Sequence, residues 1–191
     1  HDFLCELKEI LNIENPVEKS TKKENNLKSM EEMTQNYVFT HDNFTKMIFI
    51  IMRIRGNVPV IMMGETGCGK TALIRKLSEL MNNGETNNMK ILNIHAGTTD
   101  QEIIDFINKK VIPSSADLAS KETIIKVKEF QEGKIYQEKK IWVFLDEINT
   151  CKSMGLISEL MCKNSLQGTP LPTNIIFIGA CNPYRKSKET Q

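Results

Sequence analysis

A short glycine-rich segment has the spacing G-x-x-x-x-G-K-[ST], which is the spacing of a phosphate-binding loop. Its residues are Gly64, Glu65, Thr66, Gly67, Cys68, Gly69, Lys70 and Thr71. Glycine lets the backbone curl, so that successive N–H groups point inward at the phosphates. Lys70 supplies a positive charge to the β- and γ-phosphates, and the Thr71 hydroxyl is a ligand for Mg²⁺. The loop, with Ala72 after it, therefore predicts a site for a nucleoside triphosphate and its metal ion.

Two carboxylates follow an apolar run later in the chain. Residues 141–145 are continuously apolar, which is typical of a parallel strand covered on both faces, and Asp146 and Glu147 come next. Open α/β sheets bind ligands at the carboxyl ends of their strands. We expect Asp146 to hold Mg²⁺, directly or through water, and Glu147 to be the base that activates the attacking water. Alone, the pair also fits a solvated strand end, but together with the phosphate loop it favours catalysis.

A third polar group stands at the end of another apolar run. Residues 175–180 predict a buried strand that leads to Asn182 and Pro183. The amide of Asn182 would then lie at the same edge as Asp146, where it could bond the γ-phosphate or the water. The alternative is that Asn182 and Pro183 only initiate a turn. The order of the motifs favours the functional interpretation.

The phosphate loop needs a strand before it and a helix after it. Residues 58–63 predict a buried strand, with Pro59 near its start, where a missing N–H is tolerated. Residues 72–81 repeat apolar side chains at helical spacing, and Gly84 follows as a stop signal. The N-terminus of that helix would add its dipole to the anion site. This context makes an incidental glycine turn the weaker interpretation.

The remaining elements complete the order expected of an α/β core. Thr40 predicts an N-cap and Gly56 the end of an apolar helix, while residues 89–94 predict a second strand. Thr99 and Glu102 have capping-box spacing, which predicts the start of another helix. From Pro113 we expect a loop, followed by a helix near residues 122–130. A last helix is predicted over residues 152–163.

The composition fits one α/β core and disfavours several classes of protein. The 191 residues are 40% hydrophobic and carry a formal net charge of +1, which is too balanced to suggest nucleic acid as a main partner. No apolar stretch approaches the length of a membrane span. The five cysteines form no C-x-x-C pair, so neither a zinc site nor a disulfide framework is indicated, and a cytoplasmic location is expected.

The chain divides into two parts by composition. Residues 1–36 predict a short amphipathic helix and a polar linker rich in Lys, Glu, Asn and Ser, and residues 37–191 carry the nucleotide-binding core. The first residue is His1 and the last ones form a polar run. We expect the chain to be a piece of a larger protein.

The order of elements resembles the core of an AAA+ ATPase, and the resemblance becomes specific over residues 37–185. The segments that carry it are 37–40, 42–43, 52–53, 59–61, 64–71, 146–150, 154–157 and 181–185. They resemble the mysterin family, giant ring-finger E3 ubiquitin ligases with a dynein-like array of AAA+ modules. The loop and residues 145–149 alone also fit midasin, a ribosome-assembly ATPase. The context of Thr150-Cys151, Gly155-Leu156 and residues 182–185 favours mysterin.

The resemblance implies a three-layer α/β P-loop NTPase fold, the AAA+ large subdomain, with a parallel central sheet. It implies that the last strand, which pairs with the first, and the helical lid lie beyond Gln191. Lys70 and Thr71 match its phosphate and Mg²⁺ residues, and Asn182 matches its first sensor. Asn93 or His95 would restrain the catalytic glutamate, and the choice between these two residues stays open.

The resemblance also implies cofactors and partners. These are ATP with Mg²⁺, ADP, and neighbouring AAA+ modules of the same chain. A neighbouring module would supply the arginine finger, because Arg185 is only three residues past Asn182 and a loop or surface role is expected for it. Ubiquitin transfer would need domains outside this sequence, which has no ring-finger cluster. ATP hydrolysis with Glu147, Asn182 and Lys70 as catalytic residues is the first interpretation. A module that only senses or holds ATP is the second, and a P-loop kinase is disfavoured.

Overall fold

The computed structural model describes residues 37–82, 84–120 and 139–183. The predictions for residues 1–36, for a helix near 122–130 and for Arg185 lie outside the described residues. In chain order the elements are α1 (His41–Arg55), β1 (Val60–Met63), α2 (Lys70–Met81), β2 (Met89–Asn93), α3 (Asp100–Phe106), β3 (Ile141–Asp146), α4 (Met154–Lys163), β4 (Ser165–Leu166), β5 (Thr169–Pro170) and β6 (Ile175–Cys181). Each predicted strand and helix among these is confirmed, with boundaries that differ by a few residues.

The central sheet has the strand order β1-β6-β3-β2, and every neighbouring pair is parallel. β3 is therefore central and buried, while β1 lies at one edge of the described sheet. This arrangement confirms the α/β fold with a parallel sheet and places the strand before the phosphate loop at the edge of the described sheet. Among the described residues, no helix is long and apolar enough to cross a membrane.

Two hydrophobic clusters, one on each face of the sheet, give the molecule three layers. Alternate residues of β3 enter opposite clusters, because successive side chains of a strand point to opposite faces. Trp142 and Phe144 pack with α1 and α2, whereas Val143 and Leu145 pack with α3 and α4. The continuous apolar run of β3 is thus explained by burial on both sides.

Local capping groups begin and end the helices where the sequence predicts them. The Thr40 side chain accepts a hydrogen bond from the Asn43 N–H at 3.2 Å, and Gly56 is the C-cap of α1. Before α3, Glu102 accepts from the Thr99 N–H at 2.8 Å and the Thr99 hydroxyl accepts from the Glu102 N–H at 3.3 Å. The capping box is confirmed.

The loop predicted from Pro113 is wrong. α3 continues through a π-helical turn, Ile107–Val111, into helical residues 112–120. Proline normally breaks a helix because its ring clashes with the carbonyl of the preceding turn and because it lacks an N–H. The wider π turn, in which the Ile112 N–H donates to the Ile107 carbonyl, lies directly before Pro113. It makes room for the ring, so that the helix continues past Pro113.

A small hairpin of β4 and β5, which the sequence analysis did not predict, follows α4. Its two-residue turn consists of Gln167 at φ 51 and Gly168 at φ 78, the left-handed pair that tight hairpins need. The Glu159 carboxylate of α4 accepts hydrogen bonds from the Gly168 N–H at 2.6 Å and the Ser165 hydroxyl at 3.0 Å. These bonds, the one from Gly168 above all, lower the pKa of Glu159 below its ordinary value.

The lowered pKa of Glu159 predicts how its contribution to stability depends on pH. Because the folded-state pKa lies below the unfolded one, the ionised group stabilises the fold above the ordinary Glu pKa of about 4.3. That stabilisation disappears as the pH falls through the folded-state pKa. We expect Glu159→Gln to lower the melting temperature at about pH 7 and to have a smaller effect at about pH 3. Thermal unfolding of both proteins at the two pH values checks this, and a pH-independent difference would contradict it.

Gly179 of β6 lies under two side chains, Ile148 from the turn after β3 and Met161 from α4. A Cβ at this position would stand 2.9 Å from Ile148 Cδ1 and 3.2 Å from Met161 Cε. A contact of 2.9 Å is shorter than real Cβ atoms show, so a side chain here would force the ends of Ile148 and Met161 to move.

This contact predicts a measurable coupling between two positions. We expect Gly179→Ala to lower the free energy of unfolding by about 1 kcal/mol through overpacking, because the two obstructing groups are ends of flexible side chains. Ile148→Val removes Cδ1, and in the double variant it should recover part of that loss. Urea denaturation of the four proteins of the cycle measures the coupling. Strictly additive effects would show that Ile148 Cδ1 is not the obstacle.

Candidate functional site

The carboxyl ends of all four central strands meet at one edge of the sheet. Met63 at the end of β1 pairs with Cys181 of β6, and Asn93 at the end of β2 pairs with Asp146 of β3. β3 and β6 are joined directly, with Leu145 opposite Gly179. The phosphate loop, the acidic pair and Asn182 therefore leave the sheet side by side.

The loop after β1 curls because two of its glycines adopt a left-handed backbone. Gly67 has φ 81 and Gly69 has φ 86, a region that glycine enters at little cost. The Gly64 N–H donates to the Cys181 carbonyl at 3.2 Å, which continues the β1–β6 ladder into the loop. α2 begins at Lys70, so that the positive end of its dipole lies at the loop. Thr71 and Ala72 follow in the first turn of α2.

Lys70 lies over the loop and reaches across to the end of β6. Its Nζ donates to the Gly64 carbonyl at 2.6 Å, the Glu65 carbonyl at 3.0 Å and Asn182 Oδ1 at 3.0 Å. A lysine ammonium has three donors, and these oxygen contacts engage each of them. The phosphate loop and Asn182 are thus joined by one positive charge.

Asn182 in turn contacts the acidic pair. Its Nδ2 donates to Glu147 Oε1 at 3.0 Å. Lys70, Asn182 and Glu147, which come from three separate elements, therefore form one hydrogen-bonded chain. We call this chain the lysine–asparagine–glutamate chain. It brings together the three residues that the sequence analysis proposed as catalytic.

Glu147 has an unusual backbone for a residue with a side chain, because its φ of 58 and ψ of 36 lie in the left-handed region. Its N–H donates to Asp146 Oδ1 at 3.0 Å. Its carbonyl accepts from the Thr150 N–H at 3.0 Å and from the Thr150 hydroxyl at 2.9 Å. Such conformations are costly and occur often at functional sites, where the surroundings enforce them.

Thr71 and Asp146 supply the oxygen atoms that would suit a magnesium ion. Both are half-buried; Thr71 lies in the first turn of α2 and Asp146 is the last residue of β3. In residues 37–82, 84–120 and 139–183, no three His, Cys, Asp or Glu side chains cluster to hold a metal ion. Magnesium at a nucleotide needs only one or two protein ligands besides phosphate oxygens and water. Thr71 and Asp146 fit that requirement.

The structure gives the two candidates for restraining Glu147 different surroundings. Asn93 pairs in register with Asp146 and is exposed, whereas the His95 ring nitrogen Nδ1 accepts from the Gly97 N–H at 3.2 Å within its own loop. The amide that donates to Glu147 is that of Asn182. A contact from Asn93 or His95 to Glu147 therefore stays a prediction.

Asn149 and Thr150 lie in the site, although no motif in the sequence predicts them there. Asn149 Nδ2 donates to the Asn182 carbonyl at 3.2 Å, and Thr150 holds the Glu147 carbonyl. Both lie in a 3₁₀ turn, Ile148–Thr150, directly after the acidic pair. Their position next to Glu147 was the only available signal, and it does not reveal which backbone groups they bond.

The family model described as "RNF213 AAA domain" matches residues 37–185. The chain is 39% identical over 153 residues to "E3 ubiquitin-protein ligase rnf213-beta" of Danio rerio, covering 78% of this chain and 3% of that protein. It is 36% identical over 160 residues to "E3 ubiquitin-protein ligase RNF213" of Homo sapiens, covering 81% and 3%. The chain thus spans only a small part of these relatives.

"Structure of C. elegans PCH-2" aligns with 82% of this chain and 42% of its own chain, at 11% identity and a TM-score of 0.41.

The left-handed backbone of Glu147 predicts that a glycine variant at this position is more stable than an alanine variant, the reverse of the usual order in a helix. Glu147→Ala and Glu147→Gly both remove the carboxylate, but only alanine keeps the Cβ that the left-handed conformation disfavours. We expect the glycine variant to be more stable by about 1–2 kcal/mol in urea denaturation. The control is Ala72→Gly at an exposed position of α2, where glycine should instead cost about 1 kcal/mol. Greater stability of Glu147→Ala would contradict the strain.

Proposed function

The chain belongs to the RNF213 AAA domain family, and from this membership we propose that it is an AAA+ module that binds ATP with Mg²⁺ and hydrolyses it. The resemblance to the mysterin family, whose ring-finger ligases carry the name RNF213, is thereby confirmed. The observation that carries the proposal of hydrolysis is the lysine–asparagine–glutamate chain. It links the group expected to bind phosphate to the group expected to activate water.

The loop and α2 are suited to bind the phosphates of ATP. The backbone turns at the left-handed glycines Gly67 and Gly69 and faces open space there, since a Cβ built at either would have no atom within 4 Å. The N-terminus of α2 favours negative charge at the same place. Lys70 is held over the loop by the Gly64 and Glu65 carbonyls and by Asn182, and a phosphate oxygen would replace one of these acceptors.

Thr71 and Asp146 are proposed to hold the magnesium ion. When bound, Mg²⁺ supplies positive charge that stabilises the developing charge on the phosphate oxygens. Asp146 also accepts from the Glu147 N–H, so the same carboxylate would connect the metal site with the backbone of the proposed base.

Glu147 is proposed to accept the proton of the attacking water. Asn182 donates one amide hydrogen to Glu147 Oε1, which fixes the orientation of the carboxylate. Its Oδ1 accepts from Lys70, so the asparagine is held at both ends of its amide. This leaves the second amide hydrogen of Asn182 as a donor for the water or the γ-phosphate.

The wider context of the module is also part of the proposal. The matched relatives are named as E3 ubiquitin-protein ligases, and this chain corresponds to about 3% of their length. We propose that ubiquitin transfer occurs elsewhere in the protein, that neighbouring AAA+ modules complete the nucleotide site with an arginine, and that the protein is cytoplasmic.

Two substitutions in the full-length protein test this function. We expect Glu147→Gln to keep ATP binding and to lower turnover at this module by about 10²–10⁴-fold, because the general base is lost. Lys70→Ala should abolish ATP binding here. Lys46→Ala, at an exposed position of α1, serves as the charge-matched control and should change neither quantity.

The outcome also separates the proposal from its alternative. If turnover is unchanged by Glu147→Gln while Lys70→Ala removes ATP binding, the module senses or holds ATP without hydrolysing it. Retained ATP binding in Lys70→Ala would contradict the phosphate site itself.

A further inference from the structure

We propose that Asn149 and Thr150, in the turn after the acidic pair, are positioning residues for hydrolysis. Asn149 fixes the backbone of Asn182, and Thr150 fixes the backbone of Glu147. The inference rests on the proposed function, because it concerns the geometry of the water-activating groups.

Thr150 holds Glu147 in its left-handed conformation. Two donors of one residue, the N–H and the hydroxyl of Thr150, converge on the Glu147 carbonyl at 3.0 and 2.9 Å. The N–H bond is part of the turn and is available to any residue other than proline. The hydroxyl bond depends on the side chain and holds a backbone that would otherwise relax toward a right-handed conformation. Such a relaxation would swing the carboxylate away from Asn182.

Asn149 holds Asn182, which is the donor of the hydrogen bond to Glu147. Its Nδ2 donates to the Asn182 carbonyl at 3.2 Å, across 33 positions of sequence. Asn182 follows β6, where the chain has left the ladder of the sheet. A bond to its carbonyl therefore replaces the constraint that strand pairing no longer supplies. The Asn182 amide is then presented to Glu147 from a fixed backbone.

The turn is itself anchored, so it can serve as a support. Ile148 and Cys151, on either side of Asn149 and Thr150, are buried in the cluster between the sheet and α4. The Cys151 sulfur accepts from the Ser153 N–H at 3.2 Å and closes the segment before α4. Asn149 is half-buried, and Thr150 is exposed. Replacing the Thr150 side chain therefore leaves the core intact.

This arrangement separates hydrolysis from binding. The phosphate loop joins β1 to α2, and Lys70 is the first residue of α2, whereas the turn fixes groups that follow β3 and β6. A misplacement of about 1 Å in a reacting group can cost about a hundredfold in rate without a comparable loss of affinity. Substitutions in the turn should therefore change kcat much more than the dissociation constant of ATP.

Three substitutions in the full-length protein test the inference. Thr150→Val keeps the shape of the side chain and removes the hydroxyl, whereas Thr150→Ser keeps the hydroxyl and is the matched control. Asn149→Leu removes the donor without adding a charge. The quantities measured are the turnover that depends on Glu147, the ATP affinity that depends on Lys70, and the melting temperature.

We expect Thr150→Val and Asn149→Leu to lower the Glu147-dependent kcat by about tenfold or more, with the ATP dissociation constant within about twofold of wild type. Thr150→Ser should retain nearly full activity. Wild-type kcat in Thr150→Val and Asn149→Leu, while Glu147→Gln is inactive, overturns the inference and leaves the proposed function intact. A joint loss of kcat, affinity and melting temperature also overturns it, because the turn would then be a general structural support. Unchanged turnover in Glu147→Gln contradicts the proposed function, and this inference with it.

Discussion

The register between β3 and β6 determines how far Asn182 must reach to contact Glu147. Because the strands are parallel, both carboxyl ends lie at one edge, and pairing of Leu145 with Gly179 brings the two departing segments side by side. A slip of one residue would turn the side chains of a strand to the opposite face and separate these groups. Gly179 allows Ile148 to pass closely over the strand, which keeps the turn with Asn149 against β6. The lysine–asparagine–glutamate chain depends on this pairing.

The sequence predicts the identities of the site residues better than their contacts. The phosphate loop, the acidic pair and Asn182 stand out because each follows a strong apolar run, and parallel strands bring such positions to one edge. The contact of Asn182 with both Lys70 and Glu147 could not be predicted, since it depends on side-chain reach and on a left-handed backbone at Glu147. Glutamate gives no signal of that conformation, whereas asparagine or glycine would.

The errors in the predicted elements have local physical causes. Proline at position 113 is a strong breaker, but a π turn before it absorbs the ring, and no residue type announces such a turn. The hairpin of β4 and β5 has strands of two residues, too short for an alternating pattern, and glutamine rather than asparagine precedes the glycine of its turn. In both places, backbone geometry outweighs the preference of single residues.

β3 carries the acidic pair on the best-supported strand of the described sheet, because it is paired on both sides and buried on both faces. Local opening is hardest where many bonds and contacts must break, so the amide hydrogens of β3 should exchange slowly with solvent. Asp146 and Glu147 therefore leave a firm support, whereas the phosphate loop follows a different strand. A ligand that bridges the loop and the acidic edge would connect the loop to that support. Slower amide exchange in the loop would then report nucleotide occupancy.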